Sequence, residues 1–258
     1  MEIKNYGFVS PYIKSKELVL GANTTLPSEI ILPDRKWSKF YEDDEIQFND
    51  SFDTSNCTGQ GSVGQIQAYL RHKFNVSTQY SKRAVGILAG TRPPGNSPQI
   101  VYDAIHKNGL LPEGFLSLDN SLKSIEEYYS PDPLTQELKD ELKKWEFELW
   151  HDWVFYPTAT IKYKQEKILE ALQFSPVAVS VVAWKERNGL YYKEIGEPDT
   201  HWIQGITDFE IGQWWEIEDS YPPFRKKLEW DYDFGFAKRI LITQKVAKKW
   251  FSMFKCHV

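Results

Sequence analysis

Residues 52–70, FDTSNCTGQGSVGQIQAYL, set Cys57, one of the chain's two cysteines, between a polar turn and a stretch with helical periodicity. From Thr58 to about Phe74 the apolar residues Val63, Ile66, Tyr69, Leu70 and Phe74 recur near three- and four-residue spacing, which predicts a helix. Glycines at 59, 61 and 64 weaken its first turns, yet their small size lets another element approach closely. A thiol at the head of a helix is either a buried, inert group or an activated nucleophile. Free thiols, with a pKa near ~8.5, are only a few per cent ionised at neutral pH, and the positive end of a helix raises that fraction.

The rest of the chain sets the frame. At 258 residues it suits one large domain or two lobes sharing an interface. A net charge of -5 gives no reason to expect nucleic-acid binding. Aromatic residues make up 15% of the chain, ten of them Trp, and are read as core rather than as a sugar- or protein-binding surface. The start lacks the apolar run of a signal peptide, and no 18-residue apolar run follows, so no membrane segment is expected. Two cysteines, Cys57 and Cys256, cannot make a disulfide framework, which fits a reducing compartment.

Organisation follows from periodicity. Residues 1–56 read as a wrapping arm with one or two short strands, and 57–174 as a mainly helical lobe. Within that lobe a helix is expected from Ser97-Pro98 to Gly109, and a charged, inserted helix through Leu134, Leu138, Leu142, Trp145 and Leu149. A short one is expected in YKQEKILEALQ. From Ser175 to 243 the period changes to that of strands, in SPVAVSVVAW, GLYYKEI, HWIQGITDFE, QWWEIEDSY and FAKRILIT. The tail, 244–258, returns to an amphipathic helix, with Val246, Trp250, Met253 and Phe254 opposite a lysine face, expected to pack on its own lobe. Helices first and strands second point to an α+β class.

A cysteine nucleophile needs a base beside it and a group that orients the base. Four of the five histidines lie in helical or aromatic runs or at the end of the chain: His72, His106, His151 and His257. His201 opens a strand in the β half, and the next strand ends in Asp219-Ser220-Tyr221. Adjacent antiparallel strands can set Asp219 against the imidazole, with Tyr221 as an aromatic shield.

The stretches NCTGQGSVGQIQ, PPGNSPQIVYDAIHKNGLLPE, SPVAVSVV, THWIQGITDFE and WWEIEDSY, in this order, resemble the papain-like cysteine peptidase family over roughly residues 30–245. The FDTxxC and DSY variants look like divergent members encoded by bacteriophages. The resemblance implies an α+β, papain-like two-lobed fold: a helical lobe headed by the Cys helix, and an antiparallel β-barrel-like lobe. It implies Cys57 as nucleophile, His201 as base and Asp219 as orienting residue, where the family normally has Asn. Gly95-Asn96 matches the loop that pairs with an extended substrate, Pro98 and Trp202 would line the adjoining pocket, and Tyr221 replaces a shielding Trp. The family's oxyanion Gln lies six residues before its Cys; here that position is Ser51, and the nearest upstream Gln is Gln47. Gln47 and Ser51 are therefore the oxyanion candidates, with Asn56 as a further substitute. Thr58 stands where the family has Trp, and an inhibitory pro-segment of the usual length is not expected.

The leading expectation is a peptidase working through a thioester on Cys57, with no metal or cofactor. Its substrate would be a peptide or protein, with virion proteins as possible partners and no nucleic acid or membrane. The setting would be the host cytoplasm or the virion. The alternatives are a peptidoglycan or isopeptide amide hydrolase, and a non-catalytic virion or binding component that keeps the fold. An Asp219→Asn variant is expected to stay active if the carboxylate only orients His201.

Overall fold

The computed structural model of the chain describes residues 5–13, 29–41, 45–144 and 148–243. In chain order these hold α1 (Cys57–Phe74), α2 (Lys82–Leu88), α3 (Pro98–Asn108), α4 (Ile125–Tyr128) and α5 (Gln136–Lys144). After β1 (Leu149–Trp153) and α6 (Ile161–Ala171) come β2 (Ala178–Val181), β3 (Glu186–Arg187), β4 (Leu190–Tyr191), β5 (His201–Trp202) and β6 (Gly205–Glu210). The last are β7 (Trp214–Glu218), β8 (Arg225–Glu229) and β9 (Ala237–Ile242). One sheet runs β1-β9-β2-β5 and the other β3-β4-β8-β7-β6. Both are open rather than closed into a barrel.

Helix α1 is the central element. It is buried from Cys57 to Leu70, with no charged residue before Arg71 and no solvent face for one to occupy. Its glycines explain how the β half reaches it. A methyl on Gly61 would strike the ring of Trp202 and the main chain of Ile203, and one on Gly64 would strike the Gln204 side chain. The Gln65 amide then donates to the carbonyls of Pro176, at 2.7 Å, and Lys238, at 2.8 Å, tying the helix across β2 and β9. Buried amide donors satisfied twice in this way fix helix and sheet in one register. One apolar core lies where α1 and α3 meet the first sheet, around Val63, Ile66, Val101, Tyr102 and Trp153. A second joins α6 to the faces of β2, β6 and β7 around Ile168, Val179, Ile206, Trp215 and Ile217.

Three sequence expectations change. The charged helix is described over Gln136–Lys144, and Trp145 of its stripe lies outside the described residues; Leu149, assigned to the same stripe, instead opens β1 and pairs with Ile242 of β9. Backbone pairing with a buried strand outweighs a helical stripe that only one face supports. In the arm, the described residues form isolated bridges and a short 3-10 turn at Ser38–Phe40 rather than strands. Strand β8 and helix α2 lie in stretches for which the sequence predicts no element. The amphipathic tail falls outside the described residues. Among the described residues no helix is long and apolar enough to cross a membrane.

The β1–β9 pair also carries a pH-sensitive buried group. His151 lies between Lys238, whose ammonium meets Nδ1 at 3.0 Å, and Asp103, 3.2 Å from Nε2. Burial, aided by the Lys238 charge, pushes its pKa from 6.5 down to about 4. The unfolded chain therefore takes up a proton that the folded one refuses. That stabilisation is present above pH 6.5 and is lost as the pH falls from there toward 4, by roughly 3 kcal/mol. Thermal melts across this window should show the drop, and a His151→Asn variant should show a shallower one.

Candidate active site

Cys57 is the first residue of α1, with Asn56 as its N-cap. The thiol sits at the positive end of an 18-residue helix, which favours a thiolate. The main-chain N–H of Trp202 donates to Sγ at 3.4 Å, so the residue after His201 touches the thiol. Burial nevertheless pushes the thiol well above its ordinary range. The charges of Asp219 and Asp53 add to that push, while the N–H groups of Trp202 and Thr58 oppose it. In this closed arrangement burial favours the protonated thiol.

Strand β5 brings His201 to the head of α1, and Asp219 follows β7. The His201 Nε2 lies 2.5 Å from Asp219 Oδ1. A carboxylate can only accept, so Nε2 carries a proton, and Nδ1 is the nitrogen left to exchange one with the thiol. Nδ1 is buried without a hydrogen-bond partner among the described residues. An imidazole with one nitrogen anchored and the other bare is arranged as a base.

Each residue of the Asp219-Ser220-Tyr221 run has its own contact. Asp219 holds His201. The Ser220 hydroxyl donates to Gln47 Oε1 at 2.8 Å, fixing which way that amide points. The ring of Tyr221 meets His201 edge to face at 5.5 Å, and its hydroxyl donates to Asp53 at 2.5 Å. Trp184 covers another side of His201 at 5.7 Å. Of the oxyanion candidates, the structure brings in Gln47, which is fully buried, through the longer 47–57 loop. Ser51 lies on the exposed Asn49–Phe52 turn, and the Asn56 amide is taken by the Lys82 carbonyl and the Tyr128 hydroxyl. Gln47, ten residues before Cys57, is thereby set beside Ser220, Asp53 and Tyr6.

The cleft beside these residues is filled by the chain's own N-terminal strap, residues 5–9. Tyr6 N–H donates to the Thr200 carbonyl at 3.0 Å, and the Tyr6 carbonyl accepts from Gln47 Nε2 at 3.0 Å. Asn96 N–H donates to the Gly7 carbonyl at 3.0 Å and its carbonyl accepts from Val9 N–H at 2.9 Å, in a parallel bridge centred on Phe8. The Gly95-Asn96 loop does pair with an extended backbone, but that backbone is the strap. Phe8 stacks on Trp202 with ring centroids 6.1 Å apart, and Pro98 is buried nearby at the start of α3. Gly7 has φ +112°, and a methyl there would run into the Ser55 carbonyl. One on Gly95, at φ +139°, would run into the Gly7 carbonyl. Only a glycine at each position allows so close an approach. With the strap in place both Cys57 and His201 have 0% exposure.

Sequence reading missed Lys226, whose ammonium lies 2.6 Å from Asp219 Oδ2. In RKKLE the strand alternation sets Lys226 in phase with the buried Leu228, and a lysine in the inward phase of a strand is the signal that could have found it. Among the described residues no group of three or more His, Cys, Asp or Glu side chains could hold a metal ion.

No protein-family model and no curated protein sequence matches the chain. Its fold does match solved structures. The ragweed pollen cysteine protease Amb a 11, in its proform, superposes with a TM-score of 0.60 at 12% identity, over 87% of this chain and 69% of that one. Xylellain, a cysteine protease from Xylella fastidiosa, gives 0.60 at 13% identity, over 93% and 96%. Digestive procathepsin L2 from the larval midgut of Tenebrio molitor gives 0.59 at 14%, over 94% and 79%. The fold is the α+β fold of papain-like cysteine proteases. At these identities the likeness concerns architecture; chemistry has to be argued from the site.

Proposed function

We propose that the chain is a papain-like cysteine peptidase held in a closed, latent state by its own strap. The observation that carries this reading is the convergence of Cys57, His201, Asp219 and Gln47 from four separate segments onto the head of α1. In the open state His201 Nδ1 takes the thiol proton. The thiolate attacks the substrate carbonyl, while Gln47 Nε2 and the Cys57 N–H face the developing oxyanion. His201 then gives the proton to the departing amine, leaving a thioester on Cys57. Water, deprotonated by His201, cleaves the thioester and frees the acid.

The finer assignment, a divergent bacteriophage-type member, rests on the FDTSNC and DSY variants. The substrate would be an extended peptide, because the groups now bound by the strap, Thr200 O, Asn96 N–H and Asn96 O, are main-chain partners. The test is labelling with a peptidyl epoxide, read by intact mass, beside hydrolysis of a casein substrate. Opened protein should be labelled once, at Cys57, and lose hydrolysis in step with labelling. Thiol-independent hydrolysis, or none in an opened variant, would overturn the reading.

A further inference from the structure

The carboxylate of Asp219 is shared. Oδ1 accepts from His201 and, at 2.7 Å, from the Ser220 N–H, while Oδ2 faces the Lys226 ammonium. Lys226 Nζ is also 2.6 Å from the carbonyls of Tyr221 and of Pro223, so its three N–H bonds are all used. Its side chain is 1% exposed, and the ammonium lies 4.8 Å from the Trp184 ring that covers His201. Strands β7 and β8 set this up, pairing Ile217 with Lys226 so that β8 carries the lysine back beneath the residue after β7.

We propose, building on the peptidase reading above, that Lys226 is a positioning residue that makes Asp219 act on His201 as a neutral hydrogen-bond acceptor. Burial works against the Asp219 charge, but the charges of His201 and Lys226 hold the carboxyl below its usual range. Burial also pulls Lys226 down, with Asp219 opposing, while three oxygens around Nζ favour its cationic form. An unshared carboxylate beside the imidazole would do two unwanted things. It would keep the proton on His201 to higher pH, weakening it as the acid for the leaving amine and leaving less of the ring free to act as base for water. It would also add to the repulsion that Asp219 already exerts on a Cys57 thiolate. Lys226 removes most of that charge and leaves the hydrogen bond. The pair Asp219–Lys226 thereby does the work of one neutral amide.

Among the described residues, Asp219 bonds His201 with Lys226 on its other oxygen and Glu218 beside that lysine; the rings of Tyr6, Tyr221 and Trp184 surround the imidazole, with Asp53 behind Tyr221, and the N–H of the next residue, Trp202, meets Cys57 Sγ. The expectation that Asp219→Asn alone stays active therefore changes, because the amide would strand a buried ammonium.

The test is a cycle of Lys226→Met, Asp219→Asn and the double variant, in full-length protein whose strap has been opened. The pH–rate profile of peptide hydrolysis is measured, and the His201 ring is titrated by NMR in matching Cys57→Ala forms. Lys226→Met should move the alkaline limb of the profile up by about one pH unit and lower the neutral rate about tenfold. Asp219→Asn should lose about tenfold or more, and the neutral double variant should return to within about threefold of the parent, with the parent's limb. Lys226→Gln, which keeps polar contacts but drops the charge, gives the same readout should the methionine variant not fold. A profile unchanged by removing Lys226, or a double variant no better than Asp219→Asn, would overturn the proposal. If no form hydrolyses peptide, the peptidase reading falls by itself. The ring titration still decides the role of Lys226, since it needs no turnover.

Discussion

Gly7→Ala should raise both peptide hydrolysis and alkylation of Cys57 by about a hundredfold, the change expected if a site open about one per cent of the time becomes mostly open. The reason is local. Position 7 sits at φ +112° with the Ser55 carbonyl where a Cβ would go, and the obstacle is main chain that cannot swing aside. The substitution should lift residues 6–8 off Thr200, Gln47 and Asn96 together, because Asn5 knots them: its Oδ1 accepts from the N–H groups of Gly7 and Phe8, and its Nδ2 donates to the Phe8 carbonyl. A point change is cleaner than deletion, since Phe8 belongs to the core and its loss would cost stability as well. Equal alkylation rates in the two folded proteins would show that the strap does not limit access.

Gln47→Ala, made in the opened protein, should lower kcat by about 10²–10³-fold and leave KM within a few-fold. The amide is aimed before any substrate arrives. Ser220 holds Oε1, so Nε2 points the other way, where it meets the Tyr6 carbonyl at 3.0 Å and Asp53 Oδ1 at 3.3 Å. Ser220→Ala should give a smaller loss of the same kind, because the amide would keep its donor but lose its fixed orientation. A Gln47→Ala enzyme within a few-fold of the parent would remove Gln47 from the reaction and leave the Cys57 N–H as the oxyanion donor.

What the sequence revealed of this site divides along a physical line. Cys57, His201 and Asp219 were readable because each stands at the end of an element whose period shows: the head of a helix, the first residue of a strand, the residue after a strand. Gln47 is one of several oxyanion candidates in the sequence, since a loop's length does not say where its side chains return. The strap was opaque. Residues 5–9 carry neither helical nor strand periodicity, and their main-chain partners, Thr200 and Asn96, are set by tertiary approach. Lys226 was hidden for a different reason. A lysine among other charged residues reads as solvated, and only pairing β8 with β7 turns it inward. Likewise Leu149 continued a helical stripe until β9 supplied a partner strand.

The strap is part of the same polypeptide as the groove it fills, and this governs what can dislodge it. A tethered segment presents itself to its groove at an effective concentration that is typically millimolar. A free peptide making the same main-chain bonds at micromolar levels would lose that competition by roughly a thousandfold, so supplying more substrate is a poor way to open the cleft. Severing the chain between residues 13 and 29, before the stretch in which Leu32 and Trp37 are anchored in the core, changes the arithmetic. The strap then faces dilution, and the rings of Tyr6 and Phe8 with four hydrogen bonds to its main chain should not hold it against dissociation. The latch thus answers to a single peptide-bond cleavage far more sharply than to any concentration of what the cleft would bind.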